Sequence, residues 1–203
     1  MKLKYMTCAI GLGALGFVAN VQAVPISFSH TGTGSGSIGT TNFSNAFFTI
    51  NESADTTFRQ DCGTGGACFF IDDQTASITI GSLGTFSFVT ATRTLVDQDL
   101  TLAVFARAGA NGADLLDGPT SASLAGYSLL TSIGPVASSG DLLQFGLPFD
   151  PVITSGGQLL FTDSTGPVTF QATVTPVPEP SSMLLLSAGL LGMGLRYRKR
   201  KLL

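Results

Sequence analysis

Alternation of apolar with small or polar residues at period two dominates the middle of the chain. Thr75–Ile80 (TASITI) and Gly84–Thr90 (GTFSFVT) show it most clearly, and it is the pattern of strands with one buried face. Gly81-Ser82-Leu83 between them reads as a hairpin connection. Asp99–Arg107 and Pro167–Thr175 alternate similarly, whereas Asn45–Ile50, Ala67–Asp72 and Gly157–Asp163 are shorter and more continuously apolar. Capped helical periodicity is missing from the body. Ala122–Gly134 (ASLAGYSLLTSIG) is the one stretch that fits either a helix or a strand with a bulge at Gly126. Short strands at roughly ten-residue spacing, with Gly, Asn and Pro between them, predict an all-β body, a β-sandwich or jelly roll. With no tryptophan and 15 phenylalanines, phenylalanine is the expected aromatic packer of one ordinary core.

The two ends break this pattern. Lys2 and Lys4 precede an apolar run from Met6 to Ala19, followed by Val21-Gln22-Ala23. That order is a secretory signal peptide over residues 1–23, with cleavage expected between Ala23 and Val24. Residues 24–176 are then the all-β extracytoplasmic domain, and 177–203 a C-terminal segment.

Setting the ends aside changes the charge. Between Val24 and Val177 the basic residues are Arg59, Arg93 and Arg107, against twelve acids, so the body is nine charges negative while the whole chain is −3. Such a surface repels phosphate backbones, which argues against a nucleic-acid partner. Export also changes the cysteine reading. Cys8 lies in the signal peptide, leaving Cys62 and Cys68 in DCGTGGACFF. In an oxidising compartment this pair is expected as a disulfide, which over so small a loop contributes about 2 kcal/mol in the chain-entropy picture.

Motifs for chemistry are few. Gly34-Ser35-Gly36-Ser37-Ile38-Gly39 matches G-x-G-x-x-G literally, but no helix pattern follows it, so it reads as a glycine-rich strand or loop. His30 is the sole histidine and no G-x-S-x-G elbow accompanies it, so it is expected as an exposed or partly packed strand residue rather than a base. A two-carboxylate hydrolase could draw on Glu52, Asp55, Asp72, Asp73, Asp97 and Asp99. Calcium candidates are Asp97 and Asp99, on one face if their strand continues, and Asp114 and Asp117 in an expected loop (NGADLLDG). Neither stretch follows the D-x-[DN]-x-[DN]-G pattern, and the expectation is no metal, no cofactor and no catalytic residue.

The chain closes with TPVPEPSSMLLLSAGLLGMGLRYRKRKLL, in which Pro180–Leu195 is a run of sixteen uncharged residues. As a helix it spans about 24 Å, short of a hydrocarbon core of about 30 Å. Snorkelling of Arg196 and an interfacial Tyr197 extend its reach. A single C-terminal transmembrane helix is therefore expected at about residues 181–195. The basic cluster Arg196, Arg198, Lys199, Arg200 and Lys201 holds the end in the cytoplasm by the positive-inside rule, leaving the body outside the inner membrane.

The combination of Val177-Pro178-Glu179-Pro180-Ser181, a Leu/Gly-rich span and an arginine-led basic end resembles the PEP-CTERM sorting domain, a segment also labelled an ice-binding protein C-terminal motif. No pattern in the body points to ice. The resemblance implies a Gram-negative exported protein processed by an exosortase and linked to exopolysaccharide or biofilm matrix. Pro178, Glu179 and Pro180 would be the sorting triplet, and Arg196–Lys201 the retention end. The basic end and the absence of LPxTG set the segment apart from GPI and Gram-positive sorting signals. The expectation is a protein handled by signal peptidase and exosortase, tethered in the inner membrane with a periplasmic body. It then reaches the cell surface or the extracellular matrix in a structural or adhesive, non-catalytic role. The alternative is a carbohydrate-binding module or a polysaccharide-active hydrolase, disfavoured because Tyr127 is the body's only tyrosine and tryptophan is absent.

Overall fold

A long hairpin lies at the centre of the architecture. Strand β1 (Pro25–Ile38) runs antiparallel to β2 (Thr41–Asp55) from Pro25↔Asp55 to Ile38↔Thr41. The two-residue turn Gly39-Thr40 needs a left-handed first residue, which Gly39 supplies at φ 56°. The computed structural model describes residues 24–63, 65, 67–109, 114–142, 151–164, 166–176 and 189–190. The signal peptide through Ala23, the triplet Pro178-Glu179-Pro180 and the tail Arg196–Lys201 lie outside these residues.

The first half of β1 alternates as a strand should, with Ile26, Phe28 and His30 inward and buried. Its second half replaces the inward side chains with glycine. A Cβ at Gly32 would meet the Phe48 ring at 2.8 Å, and one at Gly36 would meet the Phe43 ring at 2.9 Å and collide with the Leu160 carbonyl. The G-x-G-x-x-G run is thus a strand whose bare backbone makes room for the rings of β2 and for the backbone of Gly157–Ser164.

Fourteen strands among the described residues form two antiparallel sheets. The first has the order β10 (Ile133–Ser139), β14 (Pro167–Val174), β1, β2, β5 (Thr75–Ile80), β6 (Gly84–Ser87). Strand β13 (Gly157–Ser164) continues the β14 side of β1 and pairs with β12 (Val152–Thr154). Beyond β6, Phe88 bridges Thr154, and Val89 N–H donates to the Ile153 carbonyl at 2.8 Å. Strands β1, β2, β5, β6, β12 and β13 therefore close into a ring at one end. The second sheet has the order β11 (Asp141–Leu142), β9 (Asp114–Thr120), β8 (Leu102–Arg107), β7 (Thr92–Asp97), β4 (Cys68–Asp72), β3 (Gln60–Asp61).

The sheets share two apolar clusters. At the ring end, Phe43, Phe48, Ile78 and Phe161 of the first sheet meet Phe105 and Leu116 of the second. At the other end, Phe28, Phe170 and Ile26 meet Ile71, Val96 and Ala103, with Leu124, Tyr127 and Leu129 filling in from the connection between β9 and β10. The body is all-β, with two layers around one divided core.

Several expected boundaries shift. Strand β7 ends at Asp97 and β8 starts at Leu102, so Asp99 sits in the turn and does not share a strand face with Asp97. Asp97 itself terminates the strand, its Oδ1 accepting the Leu100 N–H at 2.9 Å. Asp114 and Asp117 lie on β9 rather than in a loop. Ala122–Gly134 is neither a helix nor a bulged strand throughout. It is a 3-10 turn at Ala122–Leu124, capped by Ser121, then an irregular path into β10.

Candidate functional site: a buried carboxylate–histidine chain and the sorting segment

Glu52 stands at an inward position of β2, between Ile50 and Ala54, and is 3% exposed. Period two dictates this direction, because the flanking apolar positions must face the core. A buried carboxylate needs partners. His30 of β1 is fully buried beside it, with Nδ1 3.2 Å from Glu52 Oε1. This overturns the expectation of an exposed or partly packed strand histidine. The other ring nitrogen, Nε2, is buried without a hydrogen-bond partner among the described residues. The ring lies between the two apolar clusters, with its centroid 4.9 Å from that of Phe170 and 6.2 Å from that of Phe105.

The second sheet completes the chain of polar groups. Thr94 of β7 reaches Glu52 Oε2 at 3.4 Å and Asp73 Oδ1 at 3.3 Å. Thr92 Oγ1 donates to Asp73 Oδ2 at 2.8 Å. Asp73, at the turn between β4 and β5, is half-buried. A hydroxyl has one hydrogen and can give it to only one carboxylate at a time. Burial, then the neighbouring Glu52 charge, push the Asp73 carboxyl well above the usual carboxylate range. His30 and Glu52 are closed off from solvent, while Asp73 is half-buried.

The other acids are spread apart. Asp55 caps the 3-10 turn Thr56–Phe58, and bonds from the Thr57 side chain and N–H hold its carboxyl below the ordinary value. Asp72 pairs with Arg93 Nε at 2.9 Å, and the same guanidinium lies 4.1 Å from the Phe70 ring centre. Asp99 is exposed. Of the calcium candidates, Asp114 and Asp117 come together on β9, with Asp141 of β11 directly opposite Asp117. Burial, then the charges of Asp114 and Asp141, raise the Asp117 carboxyl to about 6. Among the described residues no group of three His, Cys, Asp or Glu side chains is placed to hold a metal ion.

The Cys62–Cys68 disulfide is formed, with Cα atoms 5.3 Å apart, and Cys62 N–H donates to the Cys68 carbonyl. It ties the approach to β4 and leaves the rest of the fold untouched.

At the chain's far end, among the described residues, Thr175 N–H donates to the Pro25 carbonyl at 2.9 Å. Within the expected span at 181–195, Gly189 and Leu190 are described; both are helical and exposed. Among the described residues no helix is long and apolar enough to cross a membrane. Fold and chain ending define a class: an all-β domain followed by a C-terminal sorting segment. Residues 176–200 match the family described as PEP-CTERM protein-sorting motif. The chain therefore carries that motif, which implies export, membrane-associated sorting and an exosortase as processing partner. Neither the curated proteins nor the solved structures give a match to the chain.

Proposed function

We propose that this is an exported surface or extracellular-matrix protein, tethered in the inner membrane of a Gram-negative cell and released by exosortase processing. Its body is structural or adhesive and non-catalytic. The observation that carries the reading is the match of residues 176–200 to the sorting motif. On this reading signal peptidase cuts between Ala23 and Val24, Pro178-Glu179-Pro180 is presented outside the membrane, and Arg196–Lys201 holds the tail until cleavage. A non-catalytic role is supported by the position of the sole histidine and its carboxylate partner, both inside the core.

Intact-mass measurement of the extracellular protein from its native host tests the reading. The expected mass begins at Val24 and lacks the basic tail. Full-length tail on protein recovered outside the cells would refute processing.

A further inference from the structure

The outer face of the first sheet carries an ordered array of hydroxyls that the sorting reading does not use. Across the strands, Thr169, Thr31, Thr49, Thr79 and Thr85 stand in one register row over β14, β1, β2, β5 and β6. The next row is Gln171, Ser29, Asn51, Ser77 and Ser87, and the third Thr173, Ser27, Ser53 and Thr75. All these positions alternate with inward core residues, and each is exposed or half-buried. Neighbouring rows lie two residues apart, about 6.6 Å along the strands, and neighbouring strands about 4.8 Å apart. Cross-strand bonds fix part of the array: Ser53 and Thr75 hydroxyls at 2.6 Å, Thr79 and Thr85 at 2.8 Å.

What the face lacks narrows its partner. The three rows contain no charged side chain, although the body is nine charges negative. The carboxylates nearest the array along β1 are Asp55, which opposes Pro25 one row beyond Ser27 and accepts the Thr57 N–H, and Asp163, two rows beyond Thr31, whose Oδ1 accepts the Ser35 N–H. With no cation on the face and acids elsewhere, a polyanion finds repulsion and no anchor. An apolar peptide or lipid finds no apolar side chain in the three rows. A protein partner finds no Tyr, Trp or Arg hot spot. An uncharged ligand rich in hydroxyls meets complementary groups at every position. Asn51 and Gln171 each set a donor beside an acceptor, the arrangement that matches two adjacent sugar hydroxyls. One row past the threonines, Phe47 opposes Thr33 and is 58% exposed, an apolar plate for a sugar ring. The sheet also curls toward β6 where the ring closes, a surface that a flexible chain can follow and a planar lattice cannot.

We propose that this face binds a neutral polysaccharide laid across β14, β1, β2, β5 and β6. Each hydroxyl exchanges water for ligand with a small net gain, so binding rests on many in-register contacts along a repeating polymer. Threonine, with one stiff χ1, loses little freedom on engagement. Nothing in this depends on the fate of the tail, so the binding and sorting readings fail separately.

The test uses the purified full-length chain in detergent, with insoluble cellulose, curdlan and cross-linked dextran as neutral probes and alginate as the polyanion. The chain is expected on at least one neutral probe and not on alginate. Replacing Thr31, Thr49 and Thr79 together by Val keeps the β-branched shape and removes three hydroxyls. It should weaken retention by about tenfold to a hundredfold with the melting temperature unchanged or raised. Phe47→Ala, at an exposed position, should weaken it a few-fold, while Thr120→Val on the other sheet should have no effect. The proposal is overturned by no retention on any neutral probe, by equal retention of the triple variant, or by preference for alginate. It is equally overturned if the triple variant loses only self-association or only inhibition of ice recrystallisation.

Discussion

The two ends of the core are built differently. At the ring end, Phe43, Phe48 and Phe161 pack edge-on and tilted under glycines of β1 inside a sheet whose own hydrogen bonds close around them. At the other end, two open layers face each other, and the gap is filled by Leu124, Tyr127 and Leu129 from an irregular connection. Tyr127 is anchored there by its hydroxyl, which donates to the Thr131 carbonyl at 2.9 Å, and burial drives that phenol well above its ordinary value. A closed backbone cannot shrink around a lost side chain, whereas a loop can. The cost of a cavity depends on that collapse, so equally buried residues at the two ends should differ in worth.

The largest expected effect tests this directly. Phe48→Ala should cost about 5 kcal/mol, the top of the range for such truncations, because the ring cannot collapse. Leu124→Ala, fully buried at the loop-filled end, should cost only about 2 kcal/mol. Denaturant melts of both variants decide the matter, and equal costs would erase the distinction between the ends.

The polar chain between the ends gives the next effect. His30→Leu strands the Glu52 carboxylate among phenylalanines and should cost about 3–5 kcal/mol. The double variant with Glu52→Leu should recover most of that, since apolar replacement of both partners of a buried pair is often neutral. A double variant as unstable as the single would mean that the pair specifies how the sheets align.

The smallest effect is pH-dependent. The folded-state Asp117 carboxyl, raised to about 6, binds its proton more tightly than in the unfolded chain. Its contribution is present below the unfolded value of about 4 and is lost as pH rises through about 6. Asp117→Asn should therefore match the parent near pH 4 and exceed it at pH 7.5 by about 1 kcal/mol, allowing for solvent screening of a half-exposed group. Asp73→Asn should act in the same direction, its carboxyl being raised by burial and by Glu52. Thermal melts from pH 4 to 8 read both, and parallel curves for parent and variants would show that these acids do not couple to folding.

Much of the fold was legible locally. Alternation located β5, β8 and β14, the cysteine pair was readable from its number and the expected export, and the ending from its resemblance to a sorting segment. Strand β1 was obscured because its inward positions after His30 are glycines, which carry no hydrophobic signal although they face the rings of Phe43 and Phe48. Glu52 and His30 escaped for the same kind of reason. A polar residue at an inward position looks like a surface residue until the opposing sheet is known.

The sequence by itself determined the β class, the disulfide and the sorting ending, because each rests on residues close together in the chain. The tertiary structure decided the rest: Glu52 beside His30 and Thr94, Asp117 opposite Asp141, and five threonines in one row. These depend on register and on which strand lies beside or across from which. Period two sets a residue's face but never its neighbour, and the neighbour is chosen by long-range packing.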